Sequence, residues 1–406
     1  MKPTRQVLLV AAVSALLGAC SRTQTPESPQ TNTRQSSGAY TQTLKLSGKV
    51  TDAAGKPATG ATVEFWNYQG NYYQPDVIEL GKQSTAGADG AFEFQVPRDT
   101  GFLVARKPGL ATGWRQLDRV FSDPGGTEYN FVLTPPGTLA GVVVNQSNQP
   151  VANAEVFVVM AANEISMGNG SRGFSYFSSK PARDCFAART DAAGHFRIEN
   201  FPTNANAALA VHSPGKALRQ APQESISFDT LPWHAGQEDI QLVVEPAGAI
   251  EGKIIAEGGA PRLPSARLSL QPYGPGFFGI GEIEPVQSGP DGVFRISDVP
   301  AGSYRLRATF GTNAGSEWVA ETVPVSVESG QTTRDVRVSA QRGALLEVTV
   351  LGVGDRKPAA LVNVSAYLEN SQSRAETDGE GVARLRLVPG DYQIYASRRS
   401  ITSSQT

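Results

Sequence analysis

Cysteine is nearly absent. The chain holds two in 406 residues, Cys20 and Cys185. Cys20 lies at the end of a leader-like segment, so one thiol remains and no internal disulfide can carry the fold. Histidine is as scarce. His195, His212 and His234 stand in the contexts HFRI, HSPG and HAGQ, and no His-Glu-x-x-His zinc pattern occurs. Neither a G-x-S-x-G elbow nor a P-loop is present. "GNGSRG" (168–173) has the letters of a dinucleotide fingerprint, but "FSYFSS" follows where a helix is needed. These absences argue against an enzyme, and no cofactor or metal is expected. A basic excess is missing too. Thirty-six Lys and Arg face 38 Asp and Glu, a net charge of −2, which excludes a nucleic-acid partner. After the leader there is no amphipathic helical pattern of ten or more residues.

What is present begins with that leader. Lys2 and Arg5 precede an apolar run, "VLLVAAVSALLGA" (7–19). Thirteen residues are too few to span a bilayer and suit a signal-peptide core. The run ends in Leu17-Gly18-Ala19-Cys20, which resembles the bacterial lipobox. That resemblance implies cleavage before Cys20 and acylation of its thiol and amine, hence a membrane partner reached through lipid. Ser21, rather than Asp, follows the cysteine, which resembles outer-membrane sorting in a Gram-negative cell. Residues 20–42 are rich in Ser, Thr, Gln and Pro and carry no apolar period. They read as a flexible tether with a reach of roughly 26 Å.

From residue 43 the chain repeats itself. The copies start as "LKLSGKVTDAAGKPATGATVEFW" (44), "GTLAGVVVNQSNQPVANAEVFVV" (137), "GAIEGKIIAEGGAPRLPSARLSL" (248) and "GALLEVTVLGVGDRKPAALVNVSAYL" (343). Their middles are "GADGAFEFQVP", "DAAGHFRIENFP", "GPDGVFRISDVP" and "DGEGVARLRLVPG", with turn glycines Gly90, Gly194, Gly292 and Gly381. Short alternating strands between Asp, Gly and Pro turns predict an all-β chain of tandem antiparallel β-sandwiches. The pattern resembles the carboxypeptidase regulatory-like domain. That resemblance implies a transthyretin-like (prealbumin-like), carbohydrate-binding-like sandwich of about seven strands per copy. Metallocarboxypeptidases that carry this module use a His-x-x-Glu zinc motif, which none of the three histidines matches. The expected divisions are a lipoprotein signal peptide (1–19), the tether (20–42) and sandwiches at 43–135, 136–246, 247–340 and 341–406. The fourth is incomplete, lacking its last one or two strands, as in a truncated chain or a sheet finished by a partner strand. Joints at "TPPG", "EPAG" and "AQRG" are short, which suggests sandwiches placed end to end over about 100 Å.

Aromatics concentrate after the second strand of the first three copies. "FWNYQGNYY" (65–73), "FSYFSSKPARDCF" (174–186) and "YGPGFF" (273–278) read as loops and hold 12 of the 32 aromatic residues. Rings beside amide side chains can stack on sugar faces and bond hydroxyls. Candidate ligand-binding residues are therefore Trp66, Asn67, Tyr68, Asn71, Tyr72, Tyr73, Tyr176, Tyr273, Phe277 and Phe278. The same rings could instead cover a sandwich edge or bury a joint. Arg183 and Arg189 near Cys185 could lower its thiol pKa. The expected function is a lipid-anchored envelope protein displaying sandwiches to a polysaccharide or envelope protein, or else serving as a spacer or assembly scaffold, with an accessory part of a secreted hydrolase system as the third alternative.

Overall fold

The computed structural model describes residues 43–71, 74–97, 101–117, 127–166, 172–219, 231–258, 263–272, 283–311, 316–352, 354–360, 362–368 and 371–397. The fold is all-β, with four tandem sandwiches. The first is built from β1 (Thr43–Asp52), β2 (Thr62–Asn71), β3 (Gln74–Thr85), β4 (Ala91–Pro97), β5 (Gly101–Arg106), β6 (Gly113–Leu117), β7 (Thr127–Glu128) and β8 (Phe131–Leu133). The second comprises β9 (Pro136–Asn145), β10 (Glu155–Ser166), β11 (Arg172–Ser178), a short helix α1 (Ser179–Cys185), β12 (Ala187–Arg189), β13 (His195–Pro202), β14 (Ala205–His212), β15 (Lys216–Leu218), β16 (Trp233–His234) and β17 (Gln237–Pro246). The third contains β18 (Gly248–Ala256), β19 (Ala266–Pro272), β20 (Val286–Gln287), β21 (Val293–Val299), β22 (Gly302–Phe310), β23 (Trp318–Ala320), β24 (Val323–Val327) and β25 (Thr332–Arg342). The fourth has β26 (Ala344–Thr349), β27 (Asn363–Leu368), β28 (Ser371–Glu376), β29 (Val382–Leu387) and β30 (Gln393–Ser397).

Each copy pairs two sheets. One is built on the first strand, in the orders β4-β1-β7 (β8 also on β1), β13-β9-β17-β15, β21-β18-β25-β23 and β26-β29. The other is built on the second strand, as β3-β2-β5-β6, β11-β10-β14-β16 (β12 also on β10), β20-β19-β22-β24 and β28-β27-β30. Pairing is antiparallel with one recurrent exception. The last strand of each of the first three copies lies parallel to its first: β7 and β8 on β1, β17 on β9, β25 on β18. Alternation in a sequence reports which face a residue takes, not strand direction, so this pairing was not legible beforehand. Among the described residues of the fourth copy β26 has β29 alone as a neighbour.

The turn glycines close each copy. Gly90, Gly194, Gly292 and Gly381 all have φ between 74° and 81°. The carbonyl of each accepts a hydrogen bond from the first strand: from Val50, Val143, Ile254 and Val350 N–H, at 2.9, 2.8, 2.9 and 2.8 Å. A Cβ at Gly292 would stand 2.5 Å from the Ile254 carbonyl oxygen. The Asp one residue before Gly292 turns its carboxylate back on the chain, Val293 N–H donating to Asp291 Oδ1. In the third copy Tyr304 is 1% exposed and donates its hydroxyl to the Pro300 carbonyl at 2.8 Å. Burial pushes that phenol's pKa above its ordinary value. Tyr392 repeats the bond to Val388 in the fourth copy.

Gly292→Ala would combine a positive φ with a backbone clash. The left-handed conformation alone costs about 1–2 kcal/mol for an L-residue, so chemical denaturation should show at least that loss for the third sandwich.

Candidate functional site

The most elaborated region is the contact between the first two sandwiches, and it starts from the alternation of β2. Val63 and Phe65 point into the first sandwich's own core. Glu64 and Trp66 point to the other side of the same sheet. Strand β5 shows why that side is not solvent: Gly101 to Ala105 are all buried. Leu103 and Ala105 join the first core, whereas Phe102 and Val104 join a core that belongs mainly to the second sandwich. Trp114 of β6 does the same. Trp66, Phe102, Val104 and Trp114 of the first copy therefore extend the core of the second, and the first packs a sheet face against the second. This corrects the end-to-end arrangement expected for this pair. The signal lay in "GFLVA", an unbroken apolar run of the kind buried on both faces.

Aromatic geometry fixes the contact. The Trp114 ring stacks on Phe177 with centroids 5.2 Å apart and planes 14° apart. Phe102 meets Phe177 edge-on at 5.5 Å, and Phe186 meets Phe177 edge-on at 6.2 Å and Phe201 at 5.1 Å. Trp114 Nε1–H donates to the Ser175 carbonyl at 3.2 Å, and Thr112 N–H donates to the Asn200 carbonyl at 3.0 Å.

A charged set lies beside these rings. Glu64 is 4% exposed. It accepts a hydrogen bond from Trp66 Nε1 at 3.0 Å and pairs with the Arg106 guanidinium. Burial works against the charge of Arg106, while the fields of Cys185 and Glu64 raise its pKa above the usual value. Burial pushes the Cys185 thiol up to about 12, against the pull of Arg106. Desolvation outweighs any lowering by nearby arginines, and the guanidinium that acts on the thiol is Arg106 of the first sandwich. At neutral pH the group is a protonated thiol, not a nucleophile.

Helix α1 ties three copies together. Lys180 Nζ lies 5.6 Å from the Trp66 ring centroid and 2.7 Å from Asp184. Arg183 grips Glu155 through Nη2 at 2.9 Å and Nε at 3.2 Å, with its guanidinium 4.4 Å from the Phe157 ring centroid. Its Nη1 also reaches Glu284 of the third copy at 3.5 Å. The bond from Arg183 holds the Glu155 carboxyl below its usual pKa, with burial opposing. The other joints are tied by polar bonds. Gly215 N–H donates to Asp298 Oδ1 at 2.8 Å, Gly330 N–H to the Pro246 carbonyl at 2.9 Å, and Gly343 N–H to the Glu317 carbonyl at 2.8 Å.

The candidate ligand residues that are described lie in strands, not loops. "FWNYQGNYY" is strand as far as Asn71, hydrogen-bonded to β3, rather than a loop. Trp66 is 6% exposed and sealed in the joint. Asn67 is half-buried. Tyr68 and Asn71 take strand positions opposite Ile78 and Gln74, and their side chains lie outside the described residues. "FSYFSSKPARDCF" is strand and helix, and Tyr176 is half-buried, 6.4 Å from the Phe174 ring. Tyr72, Tyr73, Tyr273, Phe277, Phe278 and Cys20 lie outside the described residues. Phe102, Val104 and Trp114, which make the joint, were not among the candidates. Of the three histidines, His195, His212 and His234 are all exposed. Among the described residues no group of three His, Cys, Asp or Glu side chains is placed to hold a metal.

No protein-family model and no curated protein matches the chain. Among solved structures it is similar to the Bacillus anthracis TIE protein, at 13% identity over 73% of this chain and 50% of that one, TM-score 0.20. It is also similar to a streptococcal ancillary pilin (13% identity, 73% and 99% covered, TM-score 0.23) and to the major pilin SpaD of Corynebacterium diphtheriae (11%, 76% and 100%, TM-score 0.18). The chain spans half the length of the first of these. Overlaps this low leave function to be argued from the chain's own residues.

Trp114→Ala should cost about 3–5 kcal/mol, the usual range for a buried aromatic truncated to Ala. Calorimetry should show the first two sandwiches, joined through the second one's core, separating into two transitions. Acid should loosen the α1 node. Glu155 has a depressed folded pKa, so its stabilisation is present above the unfolded value of about 4.3 and is lost as pH falls through the folded one. The stability gap between the native chain and Glu155→Gln should stand at pH 6 and narrow progressively as the pH falls below the unfolded value of about 4.3.

Proposed function

We propose that the chain is a non-catalytic array of the cell envelope, anchored through lipid on Cys20, whose work is to hold its outer sandwiches at a set distance and orientation. The core shared across the first joint carries this reading. A loose string of modules has no use for Trp114, Phe102 and Phe177 buried between two copies, nor for a helix contacting three. The tether of residues 20–42 then joins a mobile lipid anchor to a firm base made of the first two sandwiches. The boundaries 43–135, 136–246, 247–340 and 341–406 are the units of that array. Glycan capture by the aromatic hairpin of the first copy is the weaker reading, because Trp66, its largest ring, is committed to the joint. What the outer sandwiches meet is a polysaccharide or another envelope protein.

Two measurements test this. Cys20→Ser should move the protein from the membrane fraction to the soluble fraction. Small-angle scattering of the Cys20→Ser chain should fit one stiff arrangement, and adding Trp114→Ala and Phe177→Ala should enlarge and broaden the distance distribution. A broad distribution in the parent chain would refute the array.

A further inference from the structure

The third sandwich presents a face unlike its equivalents. In β19, Ala266, Leu268 and Leu270 enter the core, which puts Arg267, Ser269 and Gln271 on the opposite face. In β22, Tyr304, Leu306 and Ala308 enter the core, which puts Arg305 and Arg307 on that same opposite face. The register sets Ser269 opposite Arg307 and Gln271 opposite Arg305, with Arg267 opposite Thr309. Arg305 and Arg307 are two residues apart along one strand, about 7 Å. Arg267 lies diagonally across from Arg307, about 7–8 Å away. Three guanidiniums thus occupy one patch, with a hydroxyl and an amide between them.

The equivalent faces of the other copies are differently used. In the first copy it is the joint. In the second it is apolar and buried, with Phe157, Val159 and Met160. In the fourth it carries the Tyr367 and Tyr395 rings, 5.5 Å apart. The third is half-exposed and basic on a chain whose net charge is −2. Among the described residues neither Arg267 nor Arg307 has an acidic partner. Like charges held this close repel, and an anion laid across them removes that cost.

We propose that this face binds a carboxylate-bearing polysaccharide. Arginine forks bind carboxylates in bidentate fashion. The Ser269 hydroxyl and the Gln271 amide, placed between the forks, are suited to sugar hydroxyls. A sheet face accepts an extended polymer along its strands. The recognition is polar and therefore salt-sensitive. This goes beyond the array reading, which requires only that an outer sandwich be presented.

The test uses the full mature chain as its Cys20→Ser form, with polygalacturonate as probe and dextran, polyglutamate and anionic phospholipid vesicles as comparisons. Polygalacturonate should be retained, dextran should not, and 0.5 M salt should release it. Arg267→Glu with Arg307→Glu should weaken retention at least tenfold, with unfolding and scattering unchanged, and Arg267→Lys with Arg307→Lys should fall between. No retention of polygalacturonate, retention unaffected by the double Glu variant, or preference for dextran, polyglutamate or vesicles would overturn the proposal. None of these results bears on the array, which scattering and fractionation judge separately.

Discussion

Four hydrogen bonds organise this chain. In every copy the carbonyl of a turn glycine accepts from the N–H of a first-strand residue, at 2.8–2.9 Å. The glycine must be there twice over, because its φ is positive and because a Cβ would strike the strand backbone. With that bond made, the strand after the turn runs antiparallel to the first, as β4 does on β1 and β21 on β18. Register follows, and with it the division into residues that enter the core and residues that do not. Everything described above about faces, including which one meets a neighbour, inherits that division.

How much of this was legible in the sequence depends on whether the information is local. The glycine turns and the alternation of "GVFRIS" are local, and they specify the all-β class and four copies. Burial on a second face is not local. "GFLVAR" is a strand in either case, and its unbroken apolar run gains meaning only when a second sandwich lies against it. "FWNYQGNYY" breaks the alternation of its strand and so reads as a loop, whereas β3 supplies a partner that keeps it extended through Asn71. The state of Cys185 is non-local in the same way: burial and an arginine about 80 residues earlier decide it, not its sequence neighbours.

The candidate surfaces show the same contrast. Aromatic residues drew attention as sugar platforms, and the most prominent of them serves to fuse two copies. The arginines of "ARLSL" and "YRLRA" are ordinary in each strand taken alone. They form a patch only because β19 and β22 are adjacent with Ser269 facing Arg307. Where the first two copies spend their outer sheet faces on packing, the third leaves its own half-exposed.

The parallel pairing of first and last strands has a mechanical consequence. In the second copy β9 enters at one end of the pair and β17 leaves at the other, over partners from Leu139–Gln237 to Asn145–Val244. Tension arriving through the two ends of that sandwich pulls the strands past one another, so the ladder bonds bear load together instead of opening one by one. β18 and β25 repeat the arrangement. In both of these sandwiches a load applied between the first and last residues therefore acts as shear on a parallel pair.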